Sequence, residues 1–218
     1  LAIRAVIFDL DGTLIDSMDV VHGALNLVLR DLGLRGVSKG EMAELAGMRL
    51  SDIVARMAPW LGPRAAEEGE AMFKRIYSDS AWRFRLLPGA REALGWLRGR
   101  GIRMGLVTTA PRGSAIELIE RLGIADYFAI VVAAEDVERP KPHPDGPLRA
   151  MRALGADPGE CALVGDSPND IRAGRAAGAR TIGVLTGLSP RGILEREGAD
   201  LILEGVWEIP SALQGWDP

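Results

Sequence analysis

Cysteine is almost absent from this chain: Cys161 is the only one in 218 residues. No disulfide can form within it, and a reducing, cytoplasmic setting is expected. No apolar run approaches the roughly 20 residues a membrane helix needs, and no basic segment followed by a long apolar one opens the sequence. Positive charge is not in excess either. The chain has 26 Lys and Arg against 30 Asp and Glu, a net charge of −4, which argues against nucleic acid or an anionic membrane as partner. Lysine is scarce, at Lys39, Lys74 and Lys141, so a lysine in a site-like context carries weight. Internal repeats, low-complexity tracts and Gly/Ser-rich or Pro-rich linkers are missing as well, which speaks against an independent module on a tether. The sequence begins at Leu1, from which nothing is drawn. What is present is a composition of 47% hydrophobic and 26% charged residues, long enough for one main domain with an accessory piece.

From about Gly89 onward, short apolar runs at 102–107, 130–133, 162–164 and 181–185 alternate with helical patterns at 114–122, 148–154 and 171–177. Strand and helix alternating over short links predict an α/β fold with a parallel sheet covered on both faces. A strand at 2–8 belongs to the same sheet, and Pro88 suits the first turn of a helix at 89–97. Between them, residues 16–87 show no strand patterning. Helices are predicted there at 18–32, after Ser38 with Glu41 three positions on, at 50–57 and at 65–77. The predicted organisation is a core of 1–15 and 88–218 with an all-helical insert, 16–87, placed as a lid directly after the first strand.

That first strand ends in Asp9-Leu10-Asp11-Gly12-Thr13. Asp9 and Asp11 share one side because strand side chains repeat every second residue. Two close carboxylates repel unless a cation or proton lies between them. An Asp-Gly turn capping a strand is the plain alternative. The other predicted strands, however, also end on chemistry: Thr108, then Lys141 within Pro140-Lys141-Pro142, then Asp166 and Asp170. Parallel strands bring all these ends to one sheet edge, where ligands bind in open α/β folds. Carboxylates around a small volume suit a hard divalent cation, and a hydroxyl with an ammonium group suits phosphate oxygens. Taken singly, Thr108 is also readable as a hydroxyl bonded to backbone, Asp166-Ser167 as a helix N-cap and Lys141 as an exposed loop charge.

Taken in order, Asp9-Leu10-Asp11-Gly12-Thr13, Val107-Thr108, Pro140-Lys141-Pro142 and Gly165-Asp166-Ser167-Pro168-Asn169-Asp170 resemble the four motifs of the haloacid dehalogenase-like hydrolases, and they span most of the chain. The nearest resemblance is to the phosphoglycolate phosphatase-like branch. It implies a Rossmann-like core with a helical cap of the first type. It also implies a Mg²⁺-dependent phosphatase acting on a small phosphorylated metabolite, as a monomer or homodimer. Asp9 would be the nucleophile and Asp11 the acid and base. Thr108 and Lys141 would hold the phosphoryl group. Asp9, Asp166 and the backbone carbonyl of Asp11 would ligate the metal, with Asp170 in support. Thr109 departs from the Asn that many relatives carry there.

Asp11 argues against a dehalogenase, because a halide leaves without a proton. A phosphosugar mutase of the β-phosphoglucomutase type keeps both aspartates and remains the alternative, although such enzymes show Glu where this chain has Gly165. A non-catalytic, phospho-accepting regulator is the alternative from another class. Within the lid, Arg49 is placed to reach a substrate anion or is one of many surface arginines. His22 and His143 read as structural, Cys161 as core, and Trp60 and Trp82 as packing residues.

Overall fold

The strand that carries Asp9 is β1 (Ala5–Phe8), and none of its residues has any solvent exposure. Such a strand must be covered on both faces, which an antiparallel edge or hairpin would not provide. In the computed structural model, which describes residues 2–215, β1 lies near the middle of a six-stranded sheet. Leu1 and residues 216–218 fall outside the described residues.

The chain runs from β1 through a two-residue strand, β2 (Ile15–Asp16), into four helices: α1 (Met18–Asp31), α2 (Lys39–Leu45), α3 (Leu50–Met57) and α4 (Gly62–Ser80). It returns through β3 (Arg85–Leu86), which pairs antiparallel with β2. The rest alternates: α5 (Ala90–Gly99), β4 (Arg103–Val107), α6 (Arg112–Arg121), β5 (Ile130–Val132), α7 (Asp145–Leu154), β6 (Cys161–Gly165), α8 (Pro168–Ala176), β7 (Arg180–Val184), α9 (Arg191–Arg196), β8 (Leu201–Leu203) and α10 (Ile209–Gln214).

The sheet order is β5-β4-β1-β6-β7-β8 and every pairing is parallel. Phe8 sits beside Leu106 of β4 and Val164 of β6. Asp9 therefore emerges between the ends of both neighbours, where the strand order reverses and a crevice opens. Alternation within each strand builds two cores. Val6, Phe8, Leu106 and Val164 pack with Leu94, Leu97, Leu118 and Ile119 on one face. Ala5, Ile7, Val107 and Leu163 pack with Ala150, Met151 and Leu154 on the other. Each fully buried Leu or Ile contributes about 1.5–3 kcal/mol relative to exposure.

The helices between β2 and β3 have their own apolar cluster, including Leu25, Val28, Leu29, Leu45, Leu50 and Ile53. Ser38 caps α2 through the reciprocal bonds with Glu41 that the sequence predicts. Several boundaries move. The first strand begins at Ala5 rather than residue 2, and α4 extends beyond 65–77 at both ends. Helix α8 starts at Pro168 because Ser167 accepts the Asp170 N–H as N-cap and proline tolerates the first helical turn. Trp60 and Trp82 do not pack as expected, since they are 74% and 68% exposed. Among the described residues no helix is long and apolar enough to cross a membrane.

Candidate active site

Lys141, from the loop between β5 and α7, is buried at the end of β1. Its ammonium donates to Asp9 Oδ1 at 2.6 Å, to Asp170 Oδ1 at 2.6 Å and to the Val107 carbonyl at 3.3 Å. Three donors meet three acceptors, so a buried cation is fully satisfied. Burial alone would pull the Lys141 ammonium down, but the carboxylates of Asp170 and Asp9 outweigh it and hold it above its ordinary value. Asp170 is itself fixed as the third residue of the α8 cap, where its Oδ2 accepts from the Ser167 N–H at 3.0 Å and the Ser167 hydroxyl at 2.5 Å.

Asp166 ends β6 on the other side of Asp9. Its Oδ1 accepts from the Thr13 hydroxyl at 3.2 Å, whereas its buried Oδ2 has no hydrogen-bond partner among the described residues. Burial raises the Asp166 carboxyl well above its ordinary value, and repulsion from Asp170 and Asp9 adds to this. Asp9 is pushed up to about 7, by burial first, against the lowering pull of Lys141. Oxygens of Asp9, Asp166 and Asp170 lie within 4.8 Å of one another. When ionised, three buried carboxylates outnumber the one ammonium, and a cation of oxygen preference would offset the excess in place of protons. Glycines make room for this arrangement. Gly12, at φ +75°, comes so close to Asp166 that a Cβ would lie 2.8 Å from Oδ2, and a Cβ on Gly187 would lie 1.7 Å from the same oxygen. The Thr186 hydroxyl, next to Gly187, donates to the Gly12 carbonyl at 2.7 Å and ties the two loops together.

Asp11 stands apart from that cluster and faces the helices. Its Oδ1 accepts from the Ser17 hydroxyl at 2.5 Å, and the Tyr77 hydroxyl lies 3.0 and 3.1 Å from its two oxygens. Burial raises the Asp11 carboxyl, while both hydroxyls pull it back. Thr108 is buried and its Oγ1 accepts from the Ala110 N–H at 3.0 Å, which is the backbone-bonded reading, yet its O–H is still a donor.

Asp9, Asp11, Asp166 and Ser167 form the floor of a cavity of about 90 Å³. Its walls are largely apolar and come from α1, α2, α3, α4 and the link between α2 and α3, with Val21, Leu45, Met48 and Phe73 among them. Arg49 lines it too, but its guanidinium reaches across to the carbonyls of Ala134, Val137 (2.7 Å) and Glu138 (3.4 Å), in the segment after β5. Neutral carbonyls leave its charge uncompensated. Asn169 donates to the Ala46 carbonyl at 2.6 Å, and Lys74 lies 3.2 Å from Glu135, so three contacts join the helices to the sheet edge. Of the remaining sequence candidates, His22 bonds the Val37 carbonyl and Asn26. The His143 N–H donates to Pro140, and buried Cys161 has its thiol raised to about 11 by burial. Sequence reading missed Tyr77, Ser17 and Gly187; of these only Ser17, six residues from Asp11, had a positional signal.

A family model described as haloacid dehalogenase-like hydrolase matches residues 6–184. A phosphoglycolate phosphatase of Cupriavidus necator is 34% identical, over 96% of this chain and 92% of that protein. One from Escherichia coli is 30% identical, over 97% and 92% respectively. The crystal structure of a hydrolase from Pseudomonas syringae superposes with a TM-score of 0.90 at 26% identity, covering 99% of this chain and all of that one.

The contact between Gly187 and Asp166 gives a direct check on the acidic cluster. Gly187→Ala should displace the Asp166 carboxylate and weaken divalent-cation binding, measured by titration calorimetry, by about tenfold or more with the circular dichroism unchanged. Unaltered affinity would take Asp166 out of any metal site.

Proposed function

The chain belongs to the haloacid dehalogenase-like hydrolases and is a phosphoric monoester hydrolase, and we propose that it hydrolyses small phosphomonoesters, phosphoglycolate or a similarly small sugar phosphate, through a phosphorylated Asp9. The observation that carries this reading is the buried Lys141 ammonium shared by Asp9 and Asp170 beside the unpartnered Asp166 oxygen. That is a nucleophilic carboxylate held in place next to a position built for a cation.

In this reading an Asp9 oxygen attacks phosphorus as the bond to the leaving alkoxide breaks, and Asp11 transfers its proton to that alkoxide. Asp11 then takes a proton from the water that attacks phosphorus, and Asp9 leaves as a carboxylate. Lys141 and the Thr108 hydroxyl face the charge of the phosphoryl oxygens, the electrostatic core of such transfers. The donor set fits Mg²⁺: Asp9, Asp166 and the Asp11 carbonyl would hold it, with Asp170 supporting the site through Lys141. Once bound, Mg²⁺ offsets the charge that carboxylates and phosphate bring together.

We read residues 16–87 as a cap over a core of 1–15 and 88–218. The separate apolar cluster, the β2-β3 neck and the three contacts from Arg49, Ala46 and Lys74 to the sheet edge support this. Closure would exclude water from the phosphorylated enzyme. A cytoplasmic location and a small metabolite as partner belong to the same reading. Gly165 supports hydrolysis over mutase chemistry, because a Cβ there would come within 2.3 Å of the Asp170 carboxyl carbon. The Glu seen at this position in mutases therefore has no room here.

Release of inorganic phosphate across phosphoglycolate, sugar phosphates, nucleotides and an aryl phosphate tests the proposal. We expect Mg²⁺-dependent release that chelation abolishes, with small substrates preferred; chelator-insensitive release, or none from any monoester, would contradict it. Arg49 supplies the specificity test. Its uncompensated charge beside the cavity suits a substrate carboxylate, so Arg49→Ala should raise KM for phosphoglycolate about tenfold while changing that for a neutral aryl phosphate little. Equal effects on both would leave Arg49 as a strut alone.

A further inference from the structure

Among the described residues, Tyr77 is the one buried aromatic residue whose polar end points at a residue given a chemical role above. It sits near the end of α4 at 1% exposure, with its ring 5.1 Å from that of Phe84 and 6.3 Å from that of Phe73. A buried phenol needs a partner, and the hydroxyl finds it in Asp11, at 3.0 Å from Oδ1 and 3.1 Å from Oδ2. Ser17, immediately before α1, holds Oδ1 from a second direction at 2.5 Å.

Two donors arriving from different elements fix both the position and the plane of a carboxyl group, which one donor would leave free to turn. We propose that Tyr77 is a positioning residue for the proton transfer. Its hydroxyl, with that of Ser17, orients the Asp11 carboxyl so that its proton is delivered to the leaving alkoxide. The inference rests on Asp11 acting as the proton donor in the reading above. As the Asp9–phosphorus bond forms and the phosphorus–alkoxide bond breaks, the Asp11 proton passes to the alkoxide oxygen, releasing a neutral alcohol and leaving Asp11 as the carboxylate. Tyr77 itself neither gains nor loses a proton.

Phe73 and Lys74, one turn earlier on α4 than Tyr77, line the cavity, so the helix that walls the substrate volume also carries the group that orients the acid. Asp11 is thus held for transfer only while α4 is seated as it is here.

The leaving group distinguishes this role from a structural one. An alkoxide needs a proton to depart, whereas 4-nitrophenolate departs without one. Because kcat/KM reports steps up to release of the alcohol, it isolates the transfer. For Tyr77→Phe, which keeps the ring, kcat/KM for phosphoglycolate should fall about ten- to a hundredfold, and that for 4-nitrophenyl phosphate should change less than about threefold. Phe84→Leu loosens the same ring packing but keeps the hydroxyl; it should lower the melting temperature and leave the ratio between the two substrates unchanged. Equal losses on both substrates in Tyr77→Phe, no loss on either, or the same change of ratio in Phe84→Leu would overturn the assignment while leaving the phosphatase reading intact. Failure of the unmodified enzyme to hydrolyse either substrate would overturn both.

Discussion

A single buried ammonium organises this molecule's business end. Lys141 bridges Asp9 at the end of β1 and Asp170 at the start of α8, with the Val107 carbonyl of β4 as its third partner. Removing one member of such a buried set leaves an uncompensated charge, a cost of about 3–5 kcal/mol. The bridge thereby fixes the loop after β5 to two other strand ends. It does not balance the charge of the ionised cluster, however, because Asp166 adds a third carboxylate with an oxygen that no group among the described residues satisfies. The fold keeps this excess at the one edge where a parallel sheet leaves a crevice, and it does so with glycines at 12 and 187 that let backbone lie against the Asp166 carboxylate. A site with that surplus is disposed toward a cation and, with the cation, toward phosphate.

The helical segment supplies both walls and polar contacts to the candidate site. It reaches the sheet edge through Arg49, Ala46 and Lys74, and it reaches Asp11 through Tyr77. These contacts differ in character. Arg49 and Asn169 bind backbone carbonyls, which fix position without cancelling charge, whereas Tyr77 bonds the Asp11 carboxyl that we propose as the acid. Movement of α4 would therefore change the cavity wall and the orientation of the acid together. A shift of about an ångström at a proton donor is enough to alter rates substantially.

Much of this was legible beforehand because strand ends are marked by where apolar runs stop. Asp9, Thr108 and Asp166 each follow such a run, and a parallel sheet converts that one-dimensional mark into a shared edge. The capping box at Ser38 was legible for a similarly local reason, since its two bonds span three residues. What escaped depends on distance along the chain. Tyr77 lies 66 residues from Asp11, on a helix whose periodicity reports only that one face is apolar. The β2-β3 pair is two residues per strand, too short for alternation to register, although it brings the two ends of the helical segment together. The edge strand β8 is only three residues long. Arg49 was read as either a substrate contact or a surface charge, and carbonyl partners 85 or more residues away have no sequence signature at all. Trp60 and Trp82 show the opposite failure, where a residue type that usually packs remains exposed.

In the proposed reaction phosphate passes through a covalent bond to Asp9. Enzyme quenched in acid during turnover and reduced with borohydride converts an acyl phosphate into an alcohol, so phosphorylated Asp9 would be read as homoserine by peptide mass spectrometry. Homoserine is expected at position 9, and only in samples given both substrate and Mg²⁺. Reduction at Asp11, Asp166 or Asp170 instead, or at no carboxylate despite steady phosphate release, would contradict it.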